Sequence, residues 1–460
     1  MPTPQLASVT TPAPSHPRPG ATLAVTSAAT TVALMNYTAP MLTLPDMAAS
    51  FATPASAQAW LLNGTPLGLA VVLLLAGSLA DDHGRRRVFV LGTLALGLTT
   101  GLGAFATSTL TFTLARVAQG AASAAVLASS LGLLAHAFPS GRDRVRATGV
   151  WGAFVSAGIA LGPLLAGGLS LIDWRLAYDV LAVAALVVAA LGTRTLTESR
   201  APRGGRPDIA GALALGLALA ALLTALTLGR DGWLRAPVGL LAGAAVALGA
   251  VFVAIERRSC TPMIDLALFR RPAFLAATSG ALFTGLAVIG LFSFLPALLR
   301  RGPGMSPLGA AWMFVLWSGT AFVVALQARR LAGRLSADNQ LAAGFALSAV
   351  GVLGLLGSFS AGGSWLRLLP GLFVAGVGSG LLNAALPRLA VDSVPPERAA
   401  MGSGANNTAR YIGSSAGVAL TIALSTAGAD TALLVSAALA LVGAAVTVRV
   451  SPTRRAGTRS

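Results

Sequence analysis

The stretch Gly77-Ser78-Leu79-Ala80-Asp81-Asp82-His83-Gly84-Arg85-Arg86-Arg87 separates two long apolar runs, 59–80 and 88–107. Each run has about the 20 residues a helix needs to cross a bilayer. A polar break this short, with acids before a glycine and three arginines after it, reads as a tight turn between two spanning helices. The whole chain has the same character. It has 460 residues, 55% hydrophobic and 10% charged, with a mean hydropathy of +0.77. Soluble domains carry about 25% charged residues. An ordinary soluble enzyme, a disordered chain and a repeat solenoid are therefore excluded.

Working outward from this turn gives fourteen apolar stretches: 22–44, 59–80, 88–107, 109–137, 147–171, 174–194, 208–228, 237–255, 273–298, 307–327, 339–359, 365–387, 399–425 and 430–449. Helices are expected, since lipid offers backbone groups no partners. The net charge of +17 does not point to nucleic acid, because the arginines sit in short clusters between apolar runs. With the N-terminus placed inside, 24 of the 32 arginines fall on the inner side and 6 on the outer side. The outer six are Arg175, Arg230, Arg235, Arg300, Arg301 and Arg367, and Arg116 and Arg410 lie within spans. This asymmetry is what the positive-inside rule produces, and it puts both termini in the cytoplasm. Residues 1–21, rich in Pro, Thr and Ser, read as a disordered cytoplasmic tail, and 450–460 as a second tail. The single cysteine, Cys260, cannot form an internal disulfide. No metal-ligand spacing surrounds it, and no metal or cofactor is expected.

An internal repeat emerges from the glycines. Gly149, Gly158 and Gly162 recur as Gly404, Gly413 and Gly417, with the same spacing and a 255-residue offset. Each ladder follows a basic inner loop. The expectation is two six-helix halves, 22–194 and 259–449, with 195–258 as an inserted helix pair. Parallel repeats around a central cavity are one way to build an alternating-access transporter.

The turn itself carries a pattern. Gly77 would let a neighbouring helix approach, Asp81 would pair with arginine or face a helix N-terminus, and Gly84 would permit the turn before Arg85 and Arg86. These positions resemble the signature cytoplasmic loop of the major facilitator superfamily, where the loop acts as a conformational lock. Span four holds Leu114-Ala-Arg116-Val-Ala-Gln119-Gly120, similar to the superfamily motif whose arginine is linked to proton transfer. An arginine inside the membrane is costly and usually functional. Gly149-x8-Gly158-x3-Gly162-Pro163-x2-Ala166-Gly167 resembles the motif of its antiporter branches, with Ala166 in place of one glycine and Gly168 as an extra. Asp173-Trp174-Arg175, Asp208-Ile-Ala-Gly211, Glu256-Arg257-Arg258 with Pro262, Leu268-Phe269-Arg270-Arg271 with Phe274, and Asn406-x3-Arg410-x2-Gly413 look like the fourteen-helix drug:proton antiporter family. The resemblance runs over most of 22–449. It implies an all-α membrane protein of the major facilitator fold that exports amphipathic organic compounds, such as drugs, antibiotics or secondary metabolites, in exchange for protons.

One position departs from that pattern. Where the family usually carries an Asp nine residues before a Leu-Pro pair, this chain has Asn36, which cannot titrate. By elimination, Asp179 is left as the acid placed within a span, near Arg175, so Asp179 and Arg116 are expected to serve proton coupling. Asn36, Gln119, Asn383, Asn406 and Arg410 are the expected polar contacts of a largely apolar substrate cavity. Trp312, Trp317, Phe292 and Phe294 read as packing or lipid-facing aromatics. The expected partners are a small-molecule substrate, protons and the bilayer of a bacterial plasma membrane, with the protein a monomer. No Gly-x4-Gly-Lys sequence occurs, so ATP is not the expected energy source. An importer or uniporter on the same fold is the competing reading, and a membrane scaffold without transport is a third.

Overall fold

The structure is a computed structural model, and it describes residues 19–138, 141–200, 208–229, 234–259, 266–331, 335–359, 364–394 and 399–450. Among these residues there is no strand. The helices are α1 (Pro19–Ser50), α2 (Gln58–His83), α3 (Arg85–Ala104), α4 (Thr109–Ala137), α5 (Gly141–Leu169), α6 (Arg175–Thr195), α7 (Ile209–Gly229), α8 (Ala236–Arg258), α9 (Pro272–Phe283), α10 (Gly290–Arg301), α11 (Pro307–Leu331), α12 (Ala337–Leu353), α13 (Leu368–Asp392), α14 (Ala399–Ser425) and α15 (Ala429–Val450). A π-helical turn, Thr284–Ile289, joins α9 to α10 in one rod. Among the described residues, nine helices are long and apolar enough to cross a membrane. Of the expected 1–21 tail, residues from Pro19 on belong to α1, and 1–18 lie outside the described residues. Cys260, Pro262, Glu397 and Arg398 lie outside the described residues.

Local chemistry starts the helices where the sequence offers it. Ser108 and Thr111 close a capping box on α4. Ser336 accepts from the backbone N–H of Asn339 at the start of α12, and Asp208 accepts from that of Gly211 at 2.7 Å before α7. Each satisfies an N–H that has no partner within its helix. The lipid-facing surface is equally plain. Leu91, Leu94, Leu98 and Leu102 form an exposed stripe on α3, and Val180, Val183, Val187 and Leu191 form one on α6, with the i, i+3, i+7 spacing of one helix face.

Inside, small residues set the helix separations. A Cβ built on Gly68 of α2 would lie 2.1 Å from the Val117 carbonyl oxygen, and one on Gly120 of α4 would lie 2.2 Å from that of Thr65. Gly158 and Gly162 of α5 press in the same way on Thr31 and Met35 of α1, and Gly413 and Gly417 of α14 on Leu282 and Leu286 of the α9–α10 rod. Small residues allow this approach, which drives helix association in lipid by van der Waals contact. The paired α7 and α8 pack on each other, and α7 also touches α2 and α14.

The turn between α2 and α3 is built differently from its expectation. Gly84 has φ +113°, a conformation that a Cβ disfavours. A Cβ on Gly77 would meet nothing within 4 Å among the described residues, so the close approach of a neighbouring helix expected there is not seen. The side chain of Asp81 lies outside the described residues. The acid seen at the N-terminus of α3 is Glu198, which accepts from the Arg86 backbone N–H at 3.0 Å and sits 3.8 Å from the Arg87 guanidinium. Arg85 reaches the Gly132 carbonyl of α4 at 3.1 Å. Gly84→Ala is expected to cost about 1–3 kcal/mol in backbone strain. Its new Cβ would also sit 2.6 Å from a Glu198 carboxylate oxygen. A lower melting temperature of the purified protein, with Glu198→Gln less affected, checks this.

Candidate functional site

A cavity lies inside the helix bundle. Its walls come from α1 and α5 on one side and from the π-turn, α10, α11, α13 and α14 on the other. Phe292 and Trp317 stack at 4.1 Å with an interplanar angle of 6°. Trp317 donates its indole N–H to Ser379 Oγ at 3.0 Å, and this bond fixes the slab. Tyr37 and Tyr411 meet edge to face at 6.1 Å, and the Arg410 guanidinium lies 5.5 Å from the Tyr411 ring centre.

The cavity is closed at one end. Arg300 of α10 forms a two-pronged ion pair with Asp46 of α1, at 2.6 and 2.7 Å, and also donates to the Leu42 carbonyl at 3.2 Å. Arg301 donates to Gln58 Oε1 at 2.8 Å. Below this clasp, Asn63 of α2 donates to the Ser415 carbonyl at 2.9 Å, and the Tyr37 and Ser414 hydroxyls are 3.2 Å apart. Gly167 lets α5 touch Ala311 and Pro307 of α11.

Arg116 is fully buried in α4 beside the cavity. Its Nη1 donates to Asn36 Oδ1 and Gln119 Oε1, both at 2.6 Å, and to the Asn36 carbonyl at 2.8 Å. Nη2 donates to the Tyr37 carbonyl at 3.4 Å. Asn36 in turn donates to Thr100 Oγ1 at 2.5 Å, and Gln119 to the Thr99 carbonyl at 3.0 Å. Hydrogen bonds to charged groups are worth about 1.5–3 kcal/mol each, so this ring of neutral oxygens offsets the several kcal/mol of burying a cation. Every acceptor is neutral, Asn36 included.

The structure brings together some of the expected residues and separates others. Asn383 and Arg410 line the cavity. Asn36 and Gln119 are turned inward onto Arg116 and are not in the wall, which corrects their expected substrate contact: holding the guanidinium uses their oxygens. Asn406 is likewise committed elsewhere, donating to the Ala277 carbonyl of α9 at 2.8 Å. Asp179 is half-buried, one turn before the exposed Val183 on α6. It joins neither the Arg116 cluster nor the cavity wall. Nor does Arg175 pair with it, since that guanidinium donates to the Ala104 and Ala106 carbonyls and stacks 4.5 Å from the Trp174 ring. Phe292 and Trp317, read as packing residues, are wall residues, whereas Phe294 is buried and Trp312 exposed. Tyr37, Ser414 and Asp46 were missed as cavity or clasp residues. Asp46, directly after the Leu44-Pro45 pair and on the same expected outer side as Arg300 and Arg301, was the available signal.

A bundle of bilayer-length helices around a cavity, with an ion pair and hydrogen bonds joining its helices at one end, has the architecture of a membrane transporter. The chain belongs to the Major Facilitator Superfamily, whose profile it matches over residues 26–418 and 283–459. It is 34% identical over 388 residues to the multidrug resistance protein Stp of Mycobacterium tuberculosis, covering 82% of this chain and 70% of that protein. It is 32% identical over 423 residues to a probable actinorhodin transporter of Streptomyces coelicolor, covering 88% and 72%. A crystal structure of the peptide transporter POT superposes with a TM-score of 0.69 at 16% identity, covering 96% of both chains. The fold is shared with that structure.

Proposed function

We propose that this protein exports amphipathic organic compounds by alternating access, driven by proton entry. The observation that carries the reading is the central cavity closed at one end by the Asp46–Arg300 clasp and lined by aromatics. Its relatives' names, multidrug resistance and actinorhodin transport, supply the direction and the class of cargo. The arginine distribution supports fourteen spans with both termini in the cytoplasm of a bacterial cell, so that the clasp closes the outer side. The matching glycine contacts of α5 on α1 and of α14 on the α9–α10 rod support two six-helix halves that rock against each other, with α7 and α8 as an added pair and the chain working as a monomer.

A uniporter is the second reading, favoured by one observation: the Arg116 ring contains no acid. Inside-out vesicles with an imposed pH gradient separate the two. Substrate accumulation that collapses with the gradient supports the exporter, and accumulation indifferent to it supports the uniporter.

The clasp can be tested apart from transport. In a Cys260→Ser background, Ser293→Cys places a thiol in the cavity wall. Adding Asp46→Asn removes the charge that holds Arg300, and the protein should spend more time open to the outside. A roughly fivefold faster reaction with an impermeant maleimide added to whole cells is expected, equivalent to about 1 kcal/mol. An unchanged rate would show that the ion pair does not hold the outer side shut.

A further inference from the structure

We propose that the cargo is an aromatic organic anion, bound with its acidic group at Arg410 and its ring against the Phe292–Trp317 slab. This names the substrate class of the transport site and rests on the reading above.

The sign of the charge comes from what lines the cavity. Among its described wall residues, Arg410 is the only charged one. The other polar groups are hydroxyls, the Asn383 amide and the Trp317 indole N–H. The carboxylates on the lining helices are all placed elsewhere. Asp46 is paired with Arg300 at the closed end. Asp143 is exposed in the first turn of α5. Asp392 is exposed at the end of α13, 3.7 Å from Arg388.

Arg410 itself is left wanting. Its Nε is buried without a hydrogen-bond partner, and among the described residues it forms no ion pair. One face of its guanidinium is taken by the Tyr411 ring. A guanidinium presents five N–H donors in a planar fork suited to carboxylate, sulfonate or phenolate oxygens. The fully buried Arg116 donates only to neutral oxygens, so its charge adds to the field instead of cancelling it. A low-dielectric cavity with two uncompensated cations at its edge favours an anion and repels a cation.

The apolar half of the site is the stacked pair. Phe292 and Trp317 offer a flat face, fixed by the Ser379 bond, against which an aromatic ring packs. Aromatic walls by themselves also attract cations. The charge preference therefore has to come from Arg410, and this is what separates the proposal from a generic aromatic drug site.

The test uses two probes of the same shape, 2-naphthoate and 2-naphthylmethylammonium, titrated calorimetrically into the purified full-length protein in lipid nanodiscs. Wild type should bind the naphthoate at least tenfold more tightly. Arg410→Gln should lose that tenfold for naphthoate and bind the ammonium probe equally well or better. Arg410→Lys should keep the anion preference within about threefold. Asn383→Asp, which places a carboxylate in the same wall, should weaken naphthoate and favour the ammonium, so the proposal stays testable if Arg410→Gln does not fold. Equal or tighter binding of the cation by wild type, binding of neither probe at millimolar concentration, or anion preference that survives both Arg410→Gln and Asn383→Asp overturns it. Binding is read without a gradient. A protein that prefers the anion but fails to export would therefore overturn only the transport reading, and one that exports without the preference only this proposal.

Discussion

Arg116→Ala is expected to reduce transport at least a hundredfold while the protein still inserts into the membrane. The side chain is fully buried and ties α4 to α1 through the Asn36 side chain and the Asn36 and Tyr37 carbonyls. Those two residues lie within the wall segment of α1, between Leu34 and Met41, so the bonds set where Tyr37 stands in the cavity. Truncation leaves Asn36 Oδ1 and Gln119 Oε1 without their donor, and each unsatisfied buried acceptor costs about 1–3 kcal/mol. Against that, removing an uncompensated buried charge recovers several kcal/mol of desolvation. The two effects are of similar size, so folding should survive. Position is what is lost: α1 is no longer held at a defined register against α4, and a 1 Å error in a binding wall is expensive. Arg116→Lys keeps the charge but has no planar fork to reach the four oxygens, so it should recover only a small part of transport. Vesicle uptake normalised to protein in the membrane checks both variants. Near-normal transport by Arg116→Ala would reduce Arg116 to a packing residue.

The helices were legible because lipid makes the signal simple: runs of about 20 apolar residues broken by arginine clusters. Arg116 was legible for the same reason, as a charge where charge is costly. The glycine ladders were legible as spacing, and their partners on α1 and on the α9–α10 rod became visible only with coordinates. The cavity wall was not legible. A helix surrounded by lipid on one side and by an apolar cavity on the other is apolar all round, so periodicity does not tell Phe292, in the wall, from Phe294, two residues away and buried under Arg301. Asn36 and Gln119 show the converse error. A polar residue in a span marks a polar need, but that need was a neighbouring guanidinium and not a substrate. The π-turn at Thr284–Ile289 was invisible as well, since it arises from tertiary contact. Gly285 and Gly290 press on the backbone of α14 at Arg410 and Gly417, and the rod yields one turn to allow it. Such turns gather at functional sites, and this one carries Thr284 and Val288 into the cavity wall.

Gly162→Ala should stop transport and destabilise the protein, whereas Gly168→Ala, six residues further along the same helix, should do neither. A Cβ at Gly162 would lie 2.2 Å from Thr38 Oγ1, 2.7 Å from the Met35 carbonyl oxygen and 2.9 Å from Met35 Cα. Two of those three atoms are backbone, so relief requires α1 to move away from α5. Overpacking of this kind costs about 1–3 kcal/mol. Displacing α1 also shifts Leu34, Tyr37 and Met41 in the cavity wall and strains the bonds from Asn36 to Arg116. A Cβ at Gly168 meets nothing within 4 Å, and alanine is the better helix former by about 1 kcal/mol, so that change should be neutral or mildly stabilising. The contrast removes helix propensity as an explanation, because the same substitution is made in the same helix. The second ladder offers the matching case: Gly417→Ala would set a Cβ 2.3 Å from the Leu286 carbonyl oxygen and should fail as Gly162→Ala does. Melting temperature and vesicle uptake, measured on all three variants, decide the matter. Normal transport by Gly162→Ala would mean that α1 and α5 need not touch, and that the ladder is only the common glycine content of membrane helices.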